Sequence, residues 1–226
     1  MSAFEAVPLQ FQRLIPEAQE AASRNFLNVM LQRRSIRQFS PEPVPYALVE
    51  NAVRAAASGP SGANQQPWRF VVVGDAAVKQ KIRAAAEAEE ARFYKTAPPE
   101  WRDALAPLGT DEHKEYLTVA PWLIVVFAIT HGLERAPDGS TVERKHYYVR
   151  ESTGIAVGIL LSALTHAGLA TLTHTPSPMG FLRKVLGRPP NERAELVIPV
   201  GYPAPNAQVP RHALEKKPLS DVLIRV

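Results

Sequence analysis

An α+β fold of stacked helices and sheet is what this sequence predicts, on three observations. Apolar, strand-like runs are interspersed with segments of helical period. The 226 residues, 46% of them hydrophobic, are enough to bury a full core. No composition shift, internal repeat or low-complexity tract divides the chain, so one domain over residues 1–226 is expected.

The elements follow in order. Residues 20–32, EAASRNFLNVMLQ, carry apolar positions at helical spacing, and the prolines at 41, 43 and 45 then break the pattern beside an arginine cluster. YALVENAVRAAAS has a helical period and stops at Gly59 and Pro60. WRFVVVGD, aromatic and β-branched, predicts a strand. Ala76–Lys95 is rich in helix formers, whereas TAPPEWRDALAPLGTDE is broken by prolines and Gly109 and reads as a mobile insertion. PWLIVVFAIT predicts a buried strand, STGIAVGILLSALTHAG a buried helix apolar on nearly every face, and ATLTHTP and AELVIPVGYP two further strands. The closing VPRHALEKKPLSDVLIRV has too many prolines for a long helix, and its apolar end suits packing on a partner subunit.

Composition excludes several function classes. The 26 basic and 22 acidic residues are interspersed, so the net charge of +4 is too small an excess to imply a polyanionic partner, and no nucleic acid is expected. With no cysteine, disulfides, thiolate nucleophiles and cysteine metal sites fall away, which fits a reducing, cytoplasmic setting. The start lacks the basic and apolar regions of a signal peptide, and the longest apolar stretch is interrupted by Ser162, Thr165, His166 and Gly168, so no membrane partner is expected. The histidines at 113, 131, 146, 166, 174 and 212 contain no H-E-x-x-H or H-x-H spacing; they read as structural or surface groups, and no metal site is expected. GPSGA puts Ala63 where a nucleophile elbow needs its second glycine. Neither G-x-G-x-x-G after a strand nor a P-loop occurs.

Four stretches carry the remaining chemistry. In RRSIR, Arg33, Arg34 and Arg37 offer guanidinium forks and Ser35 a hydroxyl, a set suited to a phosphate dianion, although a solvated basic turn has the same composition. In PSGANQQPW, Ser61 and Gly62 let backbone approach a ligand and Asn64, Gln65 and Gln66 bring amides; an ordinary helix-to-strand loop fits equally. Thr173 and Thr175 lie two apart, which on a strand puts both hydroxyls on one face, for a ligand or as β-branched filling. In AEEARFYK, Glu90 and Tyr94 are four apart and share one helix face, as a surface pair or as one wall of a site.

Taken in order, RRSIRQF, PSGANQQPWRFVVV, EEARFYK, HKEYLTVAPWLIVVF, LATLTHTP and LVIPVGYP resemble the nitroreductase flavoprotein superfamily, and closely its iodotyrosine deiodinase branch. The resemblance implies an FMN-dependent, nitroreductase-like fold, with a mixed central sheet flanked by helices, in an intertwined homodimer. It assigns Arg33, Arg34, Ser35, Arg37, Pro60, Ser61, Gly62, Thr173 and Thr175 to FMN, with Thr173 donating to flavin N5 as the catalytic residue. Lys216 stands where relatives place an arginine on the FMN phosphate, so a point charge replaces a bidentate fork there. The resemblance assigns Ala63 N–H to the substrate's phenolate, Glu90 to its ammonium and Lys114 to its carboxylate, with Tyr94 completing a trio that general nitroreductases are not expected to carry. Residues 87–115 are implied to be a mobile lid, and 205–226 a tail that embraces the other subunit.

The activity so implied is reductive dehalogenation of halogenated tyrosines, 3-iodotyrosine among them, to tyrosine and halide. Electrons would come from NAD(P)H or a separate reductase. Vertebrate relatives carry an N-terminal membrane anchor and this chain shows none, which implies a soluble, bacterial-type member. Gly154, Ala156 and Gly158 suit close helix packing in a homodimer. Two alternatives stay open at this point: a broad-specificity NAD(P)H-dependent nitroreductase or quinone reductase of the same fold, and a binding module without turnover.

Overall fold

A computed structural model describes residues 4–226, and they form two compact units, one ending at Arg33 and one running from Arg34 to Val226. The first carries helix α1 (Pro16–Gln32). It starts at Pro16 rather than Glu20, because proline in the first turn presets φ and has no amide hydrogen to leave unpaired.

The second unit runs α2 (Tyr46–Ala57), β1 (Trp68–Val73), α3 (Ala76–Thr96), α4 (Pro99–Leu105), α5 (Tyr116–Val119), β2 (Trp122–Ile129), β3 (His131–Arg135), β4 (Thr141–Lys145), α6 (Val149–His166), β5 (Ala170–Thr171), α7 (Gly180–Val185) and β6 (Glu192–Gly201). Its sheet has the order β1-β2-β6-β5 with antiparallel neighbours throughout. The parallel component is a single bridge between Ser35 and Thr171.

Both faces of this sheet are covered, which is why β2 reads as a continuous apolar run. Leu123, Val125 and Phe127 point into a cluster with Ile82 and Ala86 of α3, Leu117 of α5 and Leu182 of α7. Ile124 and Val126 point the other way, onto Val49 and Ala52 of α2 and Leu160 and Leu164 of α6. Each such aliphatic side chain, fully removed from water, contributes about 2 kcal/mol.

Helix α3 begins where the Asp75 carboxylate accepts the Val78 amide at 2.8 Å. Its buried stripe is Lys79, Ile82 and Ala86, and the next positions on that face are Glu90 and Tyr94. The core-facing stripe therefore turns polar in its last two turns. Lys79 reaches the C-terminus of α5 and donates to Ala120 O at 2.8 Å.

Several expectations need correction. Of ATLTHTP, only Ala170–Thr171 is paired as a strand. Beyond it one bridge joins His174 to Val197, and Pro176 and Pro178 lack the amide hydrogens to extend the ladder. Within the proline-broken stretch after Lys95 the chain forms α4, and just beyond it α5 carries Tyr116 and Leu117 into the core. Helix α6 is apolar on nearly every side but not buried on every side. Ile155 is 46% exposed, and a Cβ on Gly154 or Gly158 would meet nothing within 4 Å. The charged hairpin β3–β4, turning at Asp138–Gly139, and the short α7 were not anticipated. The tail forms two 3-10 turns, Arg211–Leu214 and Leu219–Asp221, and leaves Leu219, Val222 and Ile224 exposed.

Candidate active site

The loop after α2 is held in an uncommon backbone conformation. Ala63, Asn64 and Gln66 all have positive φ, at 50°, 52° and 47°, as does Tyr148 at 50° across from them. Non-glycine residues in this region cost on the order of 1 kcal/mol each, so surrounding contacts must hold them. Those contacts are present. Gln65 accepts the Tyr147 amide at 2.7 Å and donates to Lys145 O at 3.0 Å. Ser61 Oγ accepts the Gln66 amide at 2.8 Å. Ser152 Oγ accepts the Gly62 amide at 3.3 Å. A Cβ on Gly62 would lie 2.8 Å from Tyr147 O, so only glycine fits there. Pro60 and Ala63 are exposed at the loop surface, and Ala63 lines a cavity of about 580 Å³ with residues of the β3–β4 hairpin.

The trio Glu90, Tyr94 and Lys114 converges. Lys114 is almost fully buried, with only 2% of its side chain exposed, and its ammonium lies 3.4 Å from Glu90 Oε2. The same ammonium donates to Asp111 O and, at 3.4 Å, to Thr110 Oγ1, and sits 5.9 Å from the centre of the Tyr94 ring. Tyr94 OH donates to Thr110 O at 2.9 Å. The Lys114 amide in turn donates to Glu87 Oε1 at 2.8 Å, tying the start of α5 to α3. Burial raises the Glu90 carboxyl above its ordinary range, against the opposing pull of Lys114. Burial also raises the Tyr94 phenol.

Thr110 and Asp111, which hold Tyr94 and Lys114, line a cavity of about 510 Å³ together with Arg37, Tyr116 and Gln208. That volume suits a small organic ligand. No lining residue is shared with the cavity at Ala63.

The RRSIR stretch leads to the same edge of the sheet. Ile36 N–H donates to Thr171 O at 3.0 Å, which sets Ser35 beside Thr171. From there Thr173 and Thr175 are exposed while Leu172 and His174 are buried, so both hydroxyls share a face although no regular strand carries them. Arg34 is half-buried. Arg33 belongs to the first unit, where its amide caps α1 on Met30 O. Lys216 lies exposed in the tail and donates to Ala213 O at 3.1 Å.

Two residues at this site escaped the sequence reading. Tyr116 and His174 are buried against one another, with Tyr116 OH 3.2 Å from His174 Nδ1. Burial, with Lys114 and Arg37 nearby, lowers the His174 ring to about 3. Burial raises the Tyr116 phenol strongly. The available signal was local: an aromatic two residues after Lys114, and a histidine between the two threonines.

Among the described residues no group of three or more histidines and carboxylates is placed to hold a metal ion, and no helix is long and apolar enough to cross a membrane.

Residues 30–202 match the model of the nitroreductase family. An iodotyrosine deiodinase of Haliscomenobacter hydrossis is 48% identical over 219 residues, covering 96% of this chain and 96% of that protein. Iodotyrosine deiodinase 1 of Homo sapiens is 41% identical over 224 residues, 98% of this chain and 75% of that protein. Among solved structures, oxidised iodotyrosine deiodinase bound to FMN and 3-iodo-L-tyrosine superposes with a TM-score of 0.74 at 30% identity, covering 88% of this chain and 97% of that one. A nitroreductase with bound FMN from Bacteroides fragilis superposes at 0.64 with 20% identity, over 89% and 98% of the two chains, a likeness of fold. The chain belongs to the nitroreductase family, in its iodotyrosine deiodinase branch.

Proposed function

We propose that this chain is an FMN-dependent reductive dehalogenase of free halogenated tyrosines, 3-iodotyrosine among them. The observation that carries the reading is the meeting of Glu90, Tyr94 and Lys114, held by Thr110 and Asp111 of a cavity wall. A half-buried carboxylate and a buried ammonium 3.4 Å apart are a ready pair of partners for an amino acid's own ammonium and carboxylate. Binding exchanges one ion pair for two: Glu90 takes the substrate's ammonium and Lys114 its carboxylate, with Tyr94 closing the side.

The residues fit the cofactor. A phosphate monoester wants guanidinium and hydroxyl donors, and the bridge from Ser35 to Thr171 brings the arginine stretch alongside the threonines. Thr171 Oγ1 is buried there without a hydrogen-bond partner, and Thr173 and Thr175 offer exposed hydroxyls on one face. Arg33, Arg34, Ser35 and Arg37 would hold the phosphate end with Lys216. Pro60, Ser61 and Gly62 would border the ring, Thr173 would donate to flavin N5, and Thr175 would make a second contact. When bound, reduced FMN supplies the two electrons the reaction needs.

The protein's own part is to bind and orient. Ala63 N–H donates a hydrogen bond to the phenolate oxygen and so holds the ionised ring, whose carbon bearing halogen is open to protonation. One proton and two electrons enter, a C–H bond replaces the carbon–halogen bond, and halide leaves. Residues 87–115 act as the lid over this chemistry.

Ala63 lines one cavity, and Thr110 and Asp111, which hold Tyr94 and Lys114, line another within one chain, which supports a site completed by a second copy. The open face of α6 at Gly154 and Gly158, and the exposed apolar tail from Leu219 onward, suit that homodimer, with 205–226 as the embracing segment. The family match covers residues 30–202 and begins before the boundary at Arg33; our reading remains one domain over residues 1–226. The absence of cysteine suits a cytoplasmic setting, with NAD(P)H or a separate reductase as electron donor.

The test is anaerobic. The FMN-loaded protein is reduced chemically, 3-iodotyrosine is added, and flavin reoxidation and tyrosine are followed together. Stoichiometric tyrosine is the expected result; flavin that stays reduced, with fast turnover of nitroaromatics instead, replaces this reading with a general nitroreductase.

A further inference from the structure

The buried Tyr116–His174 pair, whose tyrosine follows Lys114 by two residues, takes no part in the chemistry above. His174 is fixed along β6 from both sides: its amide donates to Val197 O at 2.9 Å, and the Val197 amide donates to His174 O at 2.8 Å. Its ring points away from the face that presents Thr173 and Thr175. The ring meets Tyr116 edge-on, with centres 5.6 Å apart and planes at 80°, and makes one hydrogen bond, to Tyr116 OH at 3.2 Å. His174 Nε2 has no partner at all.

Tyr116 opens α5, and the Leu117 amide closes that turn on Lys114 O at 3.0 Å. A short, continuous path thus runs from β6 through the His174 ring and Tyr116 to the backbone of Lys114. An apolar pair would fill this space without the expense of burying polar atoms. What a hydrogen bond adds is direction.

We propose that this hydrogen bond is a strut that sets the distance between Lys114 and the Thr173–Thr175 edge, which makes His174 a positioning residue for amino acid substrates. The inference rests on the dehalogenase reading. It assigns His174 the task of holding the carboxylate end of the site in register with the flavin-facing hydroxyls. Substrates with an amino acid head depend on that register, and phenols without one do not.

Tyr116→Phe removes the hydroxyl and keeps the ring. In the oxidised FMN-loaded protein, calorimetry with 3-iodotyrosine is expected to show about a 5- to 10-fold weaker Kd, from a net loss of one buried hydrogen bond. KM rises by a similar factor while kcat changes less than about twofold. FMN affinity and the Kd of 2-iodophenol, which lacks the amino acid head, stay as in the wild type. His174→Asn, which keeps a hydrogen-bonding atom near the Nδ1 position, retains 3-iodotyrosine affinity; His174→Leu follows Tyr116→Phe. Equal weakening of both ligands, unchanged 3-iodotyrosine binding in Tyr116→Phe, or no rescue by His174→Asn overturns the strut. A wild-type protein that binds 2-iodophenol but not 3-iodotyrosine overturns the dehalogenase reading itself, and the strut with it.

Discussion

At the scale of single residues, Glu90 carries the sharpest prediction. Glu90→Gln keeps the shape of the side chain and removes the charge that an ammonium needs, and it leaves Lys114 without its carboxylate neighbour. KM for 3-iodotyrosine is expected to rise about 10- to 100-fold with FMN affinity unchanged, measured by steady-state kinetics and flavin titration; a normal KM removes the zwitterion clamp. His174 makes a pH prediction. Its folded-state value of about 3 lies below the ordinary histidine value of 6.5, so between those values the unfolded chain binds the extra proton. Stability is full above pH 6.5 and falls as the pH drops. Melting temperature followed from pH 7.5 to 5, before the carboxylates titrate, should decline in the wild type and stay flatter in His174→Asn. The pair Glu90 and Tyr94 was readable in the sequence because four residues on a helix is a local relation. Their meeting with Lys114 was not readable from spacing, because it depends on how α4 and the loop before α5 fold back. Tyr116 and His174 were missed for the same reason, being 58 residues apart in the chain.

Elements were readable where burial left a periodic mark. The strands β2 and β6 are buried on both faces and read as apolar runs, and α2 announced its end by Gly59 and Pro60. The β3–β4 hairpin was not found because both its strands lie almost wholly at the surface and carry mixed charges, with no buried face to imprint a pattern. Its one signal was the Pro-Asp-Gly turn. The strand expected over ATLTHTP failed differently: the alternation of buried and exposed residues was right, but the ladder lacked partners. Helix α5, with four residues, has too few internal hydrogen bonds to stand by itself. It is held by fully buried Leu117. Leu117→Ala is expected to cost about 2–5 kcal/mol in urea unfolding, and to raise KM for 3-iodotyrosine, since Lys114 loses its base. Unfolding midpoints that do not move would show that α5 is held by other means.

At the scale of the molecule, the open face of α6 decides whether one chain suffices. Gly158→Leu adds a side chain where the chain itself offers no contact, so the fold of each protomer is expected to survive while the proposed dimer separates and FMN is lost. Sedimentation velocity and flavin content check this together; a variant that remains dimeric and yellow places the interface elsewhere. The pairing of Glu90 with Lys114 has a further result at this scale. The two charges cancel, so together they project little field into the solvent, and a zwitterion is itself neutral. Neither partner hurries the other across the solvent. Arrival is therefore indifferent to identity, and selection among amino acids rests on residence time: unsuitable molecules visit as often as suitable ones and leave sooner.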